Sequence, residues 1–178
     1  MTTEGFRCDF NLDWPVLEAQ LTEHFKYCTR EKRCIPLPLE VAPQPALMLM
    51  KEIHCQMCSA SCCRNPGTER PDQAFIAVSE GEKRAMVQAG APRHAFKALA
   101  RSGRSITYLD YPCPLLDGNR CSVYEARPIA CEKYPIQVNY PADGSLPGLA
   151  LDSGCTQAAE VALRVYRNIH QARRARRI

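Results

Sequence analysis

Eight cysteines fall into two groups whose spacing suits metal ligation. The first is Cys55, Cys58, Cys62 and Cys63, in the run Cys55-Gln-Met-Cys58-Ser-Ala-Ser-Cys62-Cys63. The second is Cys113, Cys121 and Cys131, with Cys155 further on. Two thiolates three positions apart can grip one ion from a turn whose amides point at the sulfurs. Adjacent residues of an extended chain face opposite ways, so Cys62 and Cys63 are expected to serve different ions or different irons. One of that pair would then take partners from the second group, and the two groups are expected to meet in space. Thiolate ligation selects zinc or an iron–sulfur cluster. The set permits two four-thiolate zinc sites, one cluster plus one zinc, or one cluster with thiols in reserve. A radical-SAM spacing is absent, because Asn65 stands where its third cysteine belongs. A ferredoxin spacing is absent as well.

The chain holds eleven cysteines in 178 residues, and disulfides are the main rival to metal for so many. A disulfide framework needs an oxidising compartment. The start, MTTEGFRCDFNLDW, carries neither a basic nor an apolar leader region, the count is odd, and adjacent cysteines suit such a framework poorly. No stretch has the length of a membrane span. A cytoplasmic protein with reduced thiols is expected, with no transmembrane segment. Cys8, Cys28 and Cys34 are read apart from the eight, and Cys28 as a core residue. Among the histidines, His54 beside Cys55 is a candidate ligand. His24, His94 and His170 are read as structural or solvated. No catalytic residue can be named.

Arg127, ahead of Pro128, is biased to an extended conformation. Its guanidinium could neutralise a thiolate-rich site or dock the loop on a carboxylate. Tyr108, Tyr111 and Tyr134 are read as packing residues. Net charge is +4, and six arginines without any acid fall in the last 18 residues. The basic character therefore belongs to the tail and not to the body. That tail is read as a solvated end. Nucleic acid, an anionic membrane or an acidic protein partner are the classes its charge would suit.

The run Cys-x2-Cys-x3-Cys-Cys, then Cys113-Pro-Leu-Leu, then Cys121-Ser-Val-Tyr124-Glu-Ala-Arg127-Pro128-x-x-Cys131, then Tyr134-Pro135 and the late Cys155, resembles the YkgJ-type cysteine-cluster family. The resemblance covers roughly residues 53–156. Ser59 and Ser61 stand where some relatives carry glycine. The family is described as a zinc- or iron-chelating domain and includes the flagellin lysine N-methylases. The resemblance tips the expected cofactor toward an iron–sulfur cluster, with zinc as the alternative. Three functions compete: a redox or electron-transfer protein, a SAM-dependent protein lysine N-methylase-like enzyme, and a zinc-stapled interaction module using the basic tail. No glycine-rich nucleotide loop is visible to favour the enzyme.

The elements that must position these cysteines are short. The expected class is α+β, a small metal-stapled domain with short strands, loop-borne cysteine ligands and flanking helices. Leu17, Leu21, Phe25 and Cys28 share one face of a helix over 12–31. Residues 35–45, with four prolines, read as an extended connector, and Ala46–Ile53 as a helix or a strand. Phe75–Val78 reads as a strand, followed by a capping box at Ser79 and Glu82 and a helix to about Ala89 with Gly90 beyond its end. Pro92 suits the start of another helix, to about Arg101, closed by Gly103. Ser105–Leu109 reads as a strand, Asp117-Gly118-Asn119 as a tight turn, and Ile136–Tyr140 with Gly148–Leu151 as a hairpin. A last helix from about Gln157 places Ala158, Val161, Ala162, Val165, Ile169 and Ala172 on its apolar face. The expected organisation is an N-terminal arm over 1–50, a metal-binding domain over 51–160 and a C-terminal helix with its tail over 157–178.

Overall fold

The computed structural model describes residues 8–53, 60–64, 75–101, 104–139 and 146–176. In chain order its elements are α1 (Trp14–Arg30), β1 (Ile35–Glu40), α2 (Pro43–Glu52), α3 (Ser61–Arg64), β2 (Ile76–Val78), α4 (Glu80–Gln88), β3 (Lys97–Arg101), β4 (Arg104–Leu109), β5 (Leu116–Asp117), β6 (Arg120–Cys121), α5 (Ile129–Lys133), β7 (Ile136–Asn139), β8 (Gly148–Leu151) and α6 (Ala158–Ala175). The class is α+β. The chain divides into two compact units: Met1–Ile53 with Pro135–Ile178, and His54–Tyr134. Among the described residues no helix is long and apolar enough to cross a membrane.

In the first unit an antiparallel sheet in the order β1-β8-β7 packs against α1 and α6. The face of α1 that its period places together is the buried one: Leu17, Leu21, Phe25 and Cys28. Burying each large side chain of this kind is worth about 1.5–3 kcal/mol. The Pro-rich stretch is not a connector. Its first half is β1, and β1 is an edge strand, paired on one side with β8. An edge tolerates Pro36 and Pro38, because the missing amides are not needed by a second neighbour. Its second half begins α2, where Pro43 takes the first helical position and needs no amide partner. The ambiguous run Ala46–Ile53 is thus mostly helix.

On α6 the buried side chains are Ala158, Val161, Ala162, Tyr166 and His170. The stripe is rotated from the expected one, since Val165 and Ile169 are half-buried. Tyr166 donates its hydroxyl to the Pro36 carbonyl at 3.1 Å, and a ring nitrogen of His170 lies 2.9 Å from the Leu12 carbonyl oxygen. The polar ends of both side chains therefore find partners, which lets them displace aliphatic residues from the core. The tail arginines fold back: Arg167 pairs with Glu18 at 3.0 Å, Arg174 with Asp13 at 2.5 Å, and Arg173 lies over the Phe10 ring.

In the second unit the sheet order is β2-β4-β3, with the small β5-β6 hairpin beside it. Its core is Ile76, Val78, Met86, Ala91, Ala95, Leu109, Leu115 and Val123. The capping box forms as expected, and Gly90 follows the helix at φ +104°, a conformation other residues adopt only with strain. The helix expected from Pro92 to Arg101 is instead a single 3₁₀ turn, Arg93–Ala95, followed by β3. Lys97–Ala100 are all exposed, so this segment offers no apolar face for a helix to bury. Pairing with β4 along its whole length overrides the helix propensity of its alanines. Gly103 lies outside the described residues.

Candidate metal centre

Four short pieces of the second unit carry cysteines toward one place. Ala60, at φ +53°, starts the turn that leads into α3, from which Cys62 and Cys63 project. Cys113 follows β4, Cys121 ends β6 and Cys131 lies in α5. Each of these five thiols is half-buried. They line a single cavity of about 530 Å³ together with Tyr111, Tyr134, Arg127 and the apolar side chains of Met86, Leu109 and Leu115. The expectation that the two cysteine groups meet is fulfilled for these five. The reason differs from the one expected. Cys62 and Cys63 are on a helical turn, where neighbours diverge by about 100°, so they need not face opposite ways.

Hydrogen bonds hold the pieces in register. The Cys113 amide donates to the Cys63 carbonyl at 2.8 Å. Arg64, next to Cys63, donates to the Gly118 carbonyl at 2.6 Å and to Asn119 Oδ1 at 2.7 Å. It thereby grips the β5-β6 turn, where Gly118 takes φ +57°. Glu82 reaches beyond its capping box and accepts the Ile129 amide at 2.8 Å, anchoring the start of the helix that carries Cys131. Sequence reading found neither the Arg64 grip nor the second role of Glu82. The adjacency of Arg64 to Cys63 was the only local signal for the first.

The electrostatics are those of crowded thiols. Burial pushes Cys131 up to about 12, and nearby Cys113, Cys63 and Cys121 add to the effect. Burial likewise raises Cys113 to about 11, against a hydrogen bond that its sulfur accepts from the Leu115 amide. Cys121 is raised by burial and opposed by the Val123 amide and by Arg127. Cys63 is held below the ordinary thiol range by its hydrogen bond with Cys62 and by Arg64. Tyr111 is raised by burial and by the charge of Cys131, Cys62, Cys63 and Cys113, and it lines the same cavity. Amides two residues beyond Cys113 and Cys121 pointing at the sulfurs are the donors a ligating thiolate uses. A soft, sulfur-rich set of this kind fits zinc or iron–sulfur chemistry, and a bound cation would repay the ionisation that burial opposes. Among the described residues no three His, Cys, Asp or Glu donors close on one ion-sized point.

The remaining candidates fall elsewhere. Cys55, Cys58 and His54 lie outside the described residues. Cys155 belongs to the first unit, on the turn ahead of α6, where its amide donates to the Asp152 carbonyl at 3.1 Å. Cys8, Cys28 and Cys34 are also in the first unit. Cys28 is core, 2% exposed, and His24 Nε2 lies 3.6 Å from its sulfur. Tyr108 packs against Phe75 with ring centroids 5.3 Å apart, whereas Tyr111 and Tyr134 border the cavity.

No curated protein and no solved structure matches the chain. One family model, CxxCxxCC, matches residues 54–157 under the description "putative zinc- or iron-chelating domain". The match runs from beside the first cysteine group through the cavity-lining residues to just past Cys155, more than half of the chain. The cysteine-lined cavity of the second unit accordingly lies within the matched region, and the chain belongs to this zinc- or iron-chelating family.

Proposed function

We propose that the protein carries an iron–sulfur cluster, held by thiolates of the second unit drawn from Cys55, Cys58, Cys62, Cys63, Cys113, Cys121 and Cys131. The observation that supports this reading is the cavity: about 530 Å³, bordered by five cysteines from four pieces of chain. Five thiols on one cavity exceed the four that a single tetrahedral zinc takes. A cluster presents several irons, and its ligands stand farther apart. Apolar walls from Met86, Leu109 and Leu115 would limit water at such a centre. A bound cluster would supply one-electron transfer. The residues around it would position the sulfurs, screen their charge and restrict access. Thiolate ligands of this kind are kept reduced in a reducing compartment, and we propose a cytoplasmic location.

The test is anaerobic purification with elemental analysis, acid-labile sulfide and visible absorption. Iron and sulfide in comparable amounts, with the broad absorption of sulfide-to-iron charge transfer, are expected. Stoichiometric zinc without sulfide would replace this reading with a zinc-stapled module.

A further inference from the structure

We propose that Arg127 is the built-in counter-charge of the metal centre, donating through Nε to a ligand sulfur. This inference rests on the metal centre proposed above, whichever of the two metals fills it. Arg127 lines the same cavity as the five cysteines. Its Nε is shut off from solvent and has no hydrogen-bond partner among the described residues. A buried donor left unpaired costs about 1–3 kcal/mol, so an acceptor is expected where it points. The guanidinium is held at its other end. Nη1 donates to the Tyr124 carbonyl at 3.1 Å, and the guanidinium carbon lies 3.9 Å over the Tyr124 ring. Pro128 fixes the backbone exit, and Arg127 holds φ −61° and ψ 152°. The group is thus clamped on one side, with its buried Nε–H free to donate.

Thiolate ligation explains what that N–H is for. Four thiolates around zinc, or around a cluster, leave a net negative charge in a poorly solvated space. A fixed guanidinium lowers the free energy of that charge, and a hydrogen bond to sulfur holds the ligand in place. Lysine could not do both, because it lacks the planar fork that stacks on Tyr124 while donating elsewhere. For a cluster, an added electron makes the centre more negative still. The neighbouring cation therefore favours the reduced form.

Arg127→Gln, Arg127→Lys and Tyr124→Leu test this in the full chain, loaded anaerobically with iron and sulfide or with zinc alone. The midpoint potential of the cluster should move negative in Arg127→Gln and recover in large part in Arg127→Lys. Release of metal to a competing chelator should be about 10-fold faster or more in Arg127→Gln, as for other residues that support ligands. Tyr124→Leu should speed release while leaving the potential close to native, since the charge remains. Loaded variants with native potential and native release rates overturn the proposal and leave the centre standing. A native chain that takes up neither iron nor zinc overturns both.

Discussion

The described cysteines sit in two kinds of surroundings. Cys121 and Cys131 border the cavity, and Cys131 is raised to about 12 by burial among other thiols. Replacing either with serine should lower metal stoichiometry, because a hydroxyl is a poor soft donor. Cys28 is the control. It is 2% exposed in the first unit's core, so Cys28→Ser should leave metal at the native level. Its buried hydroxyl should cost about 1–3 kcal/mol in a denaturation experiment. Elemental analysis beside urea melts separates the two outcomes, and unchanged metal in both Cys121→Ser and Cys131→Ser would remove them from the ligand set. At this scale much was legible. Residue type and spacing marked the cysteines, and helical period marked Cys28 as core. His170 was less so, because its burial depends on the Leu12 carbonyl 158 positions away.

Short elements carry these residues, and Glu82 links two of them. Its Oε2 takes the Ser79 amide and hydroxyl at 2.7 and 2.6 Å, and its Oε1 takes the Ile129 amide at 2.8 Å. The Ser79 hydroxyl, then the Ile129 and Ser79 amides, hold its carboxyl below the ordinary glutamate value of 4.5. A depressed carboxylate pKa means that folding favours the ionised form. The stabilisation is therefore complete above 4.5 and is lost as pH falls through the lower folded value. Ser79→Ala should cost about 0.5–2 kcal/mol as a lost cap. Glu82→Gln should also loosen the start of α5, and its melting temperature should fall less on acidification than the native protein's. Equal acid sensitivity in the two would show that Glu82 is not the titrating link. The capping box could be read because its partners are three residues apart. The Ile129 bond spans 47 positions, and no local pattern marks it. The same limit explains the helix expected at Pro92–Arg101, since the pairing of β3 with β4 is chosen by exposure and sheet partners rather than by propensity.

For the whole molecule the division into two units suggests where metal should matter. The single tryptophan, Trp14, sits in the first unit with its ring 5.6 Å from His170. Structural thiolate metal contributes folding free energy of about 10 kcal/mol in small domains, and the second unit has a modest core of its own. Stripping metal with a chelator should therefore destabilise the second unit, seen as rapid alkylation of Cys113 and Cys131. The Trp14 fluorescence transition should shift far less. A Trp14 transition that collapses together with cysteine protection would show that the units unfold as one. The sequence by itself determined the donor chemistry, the cysteine frame, the α+β class and most local elements. Those properties reside in residue type, in spacing and in contacts a few positions apart. Tertiary structure alone decided that the Pro-rich stretch becomes an edge strand, that Cys62 and Cys63 turn to one cavity with Cys113, Cys121 and Cys131, and that Arg64 and Glu82 tie together the pieces that carry them. Those outcomes depend on hydrogen bonds and burial between distant segments, and on the free energy of closing the chain around a shared core, which no window of sequence contains.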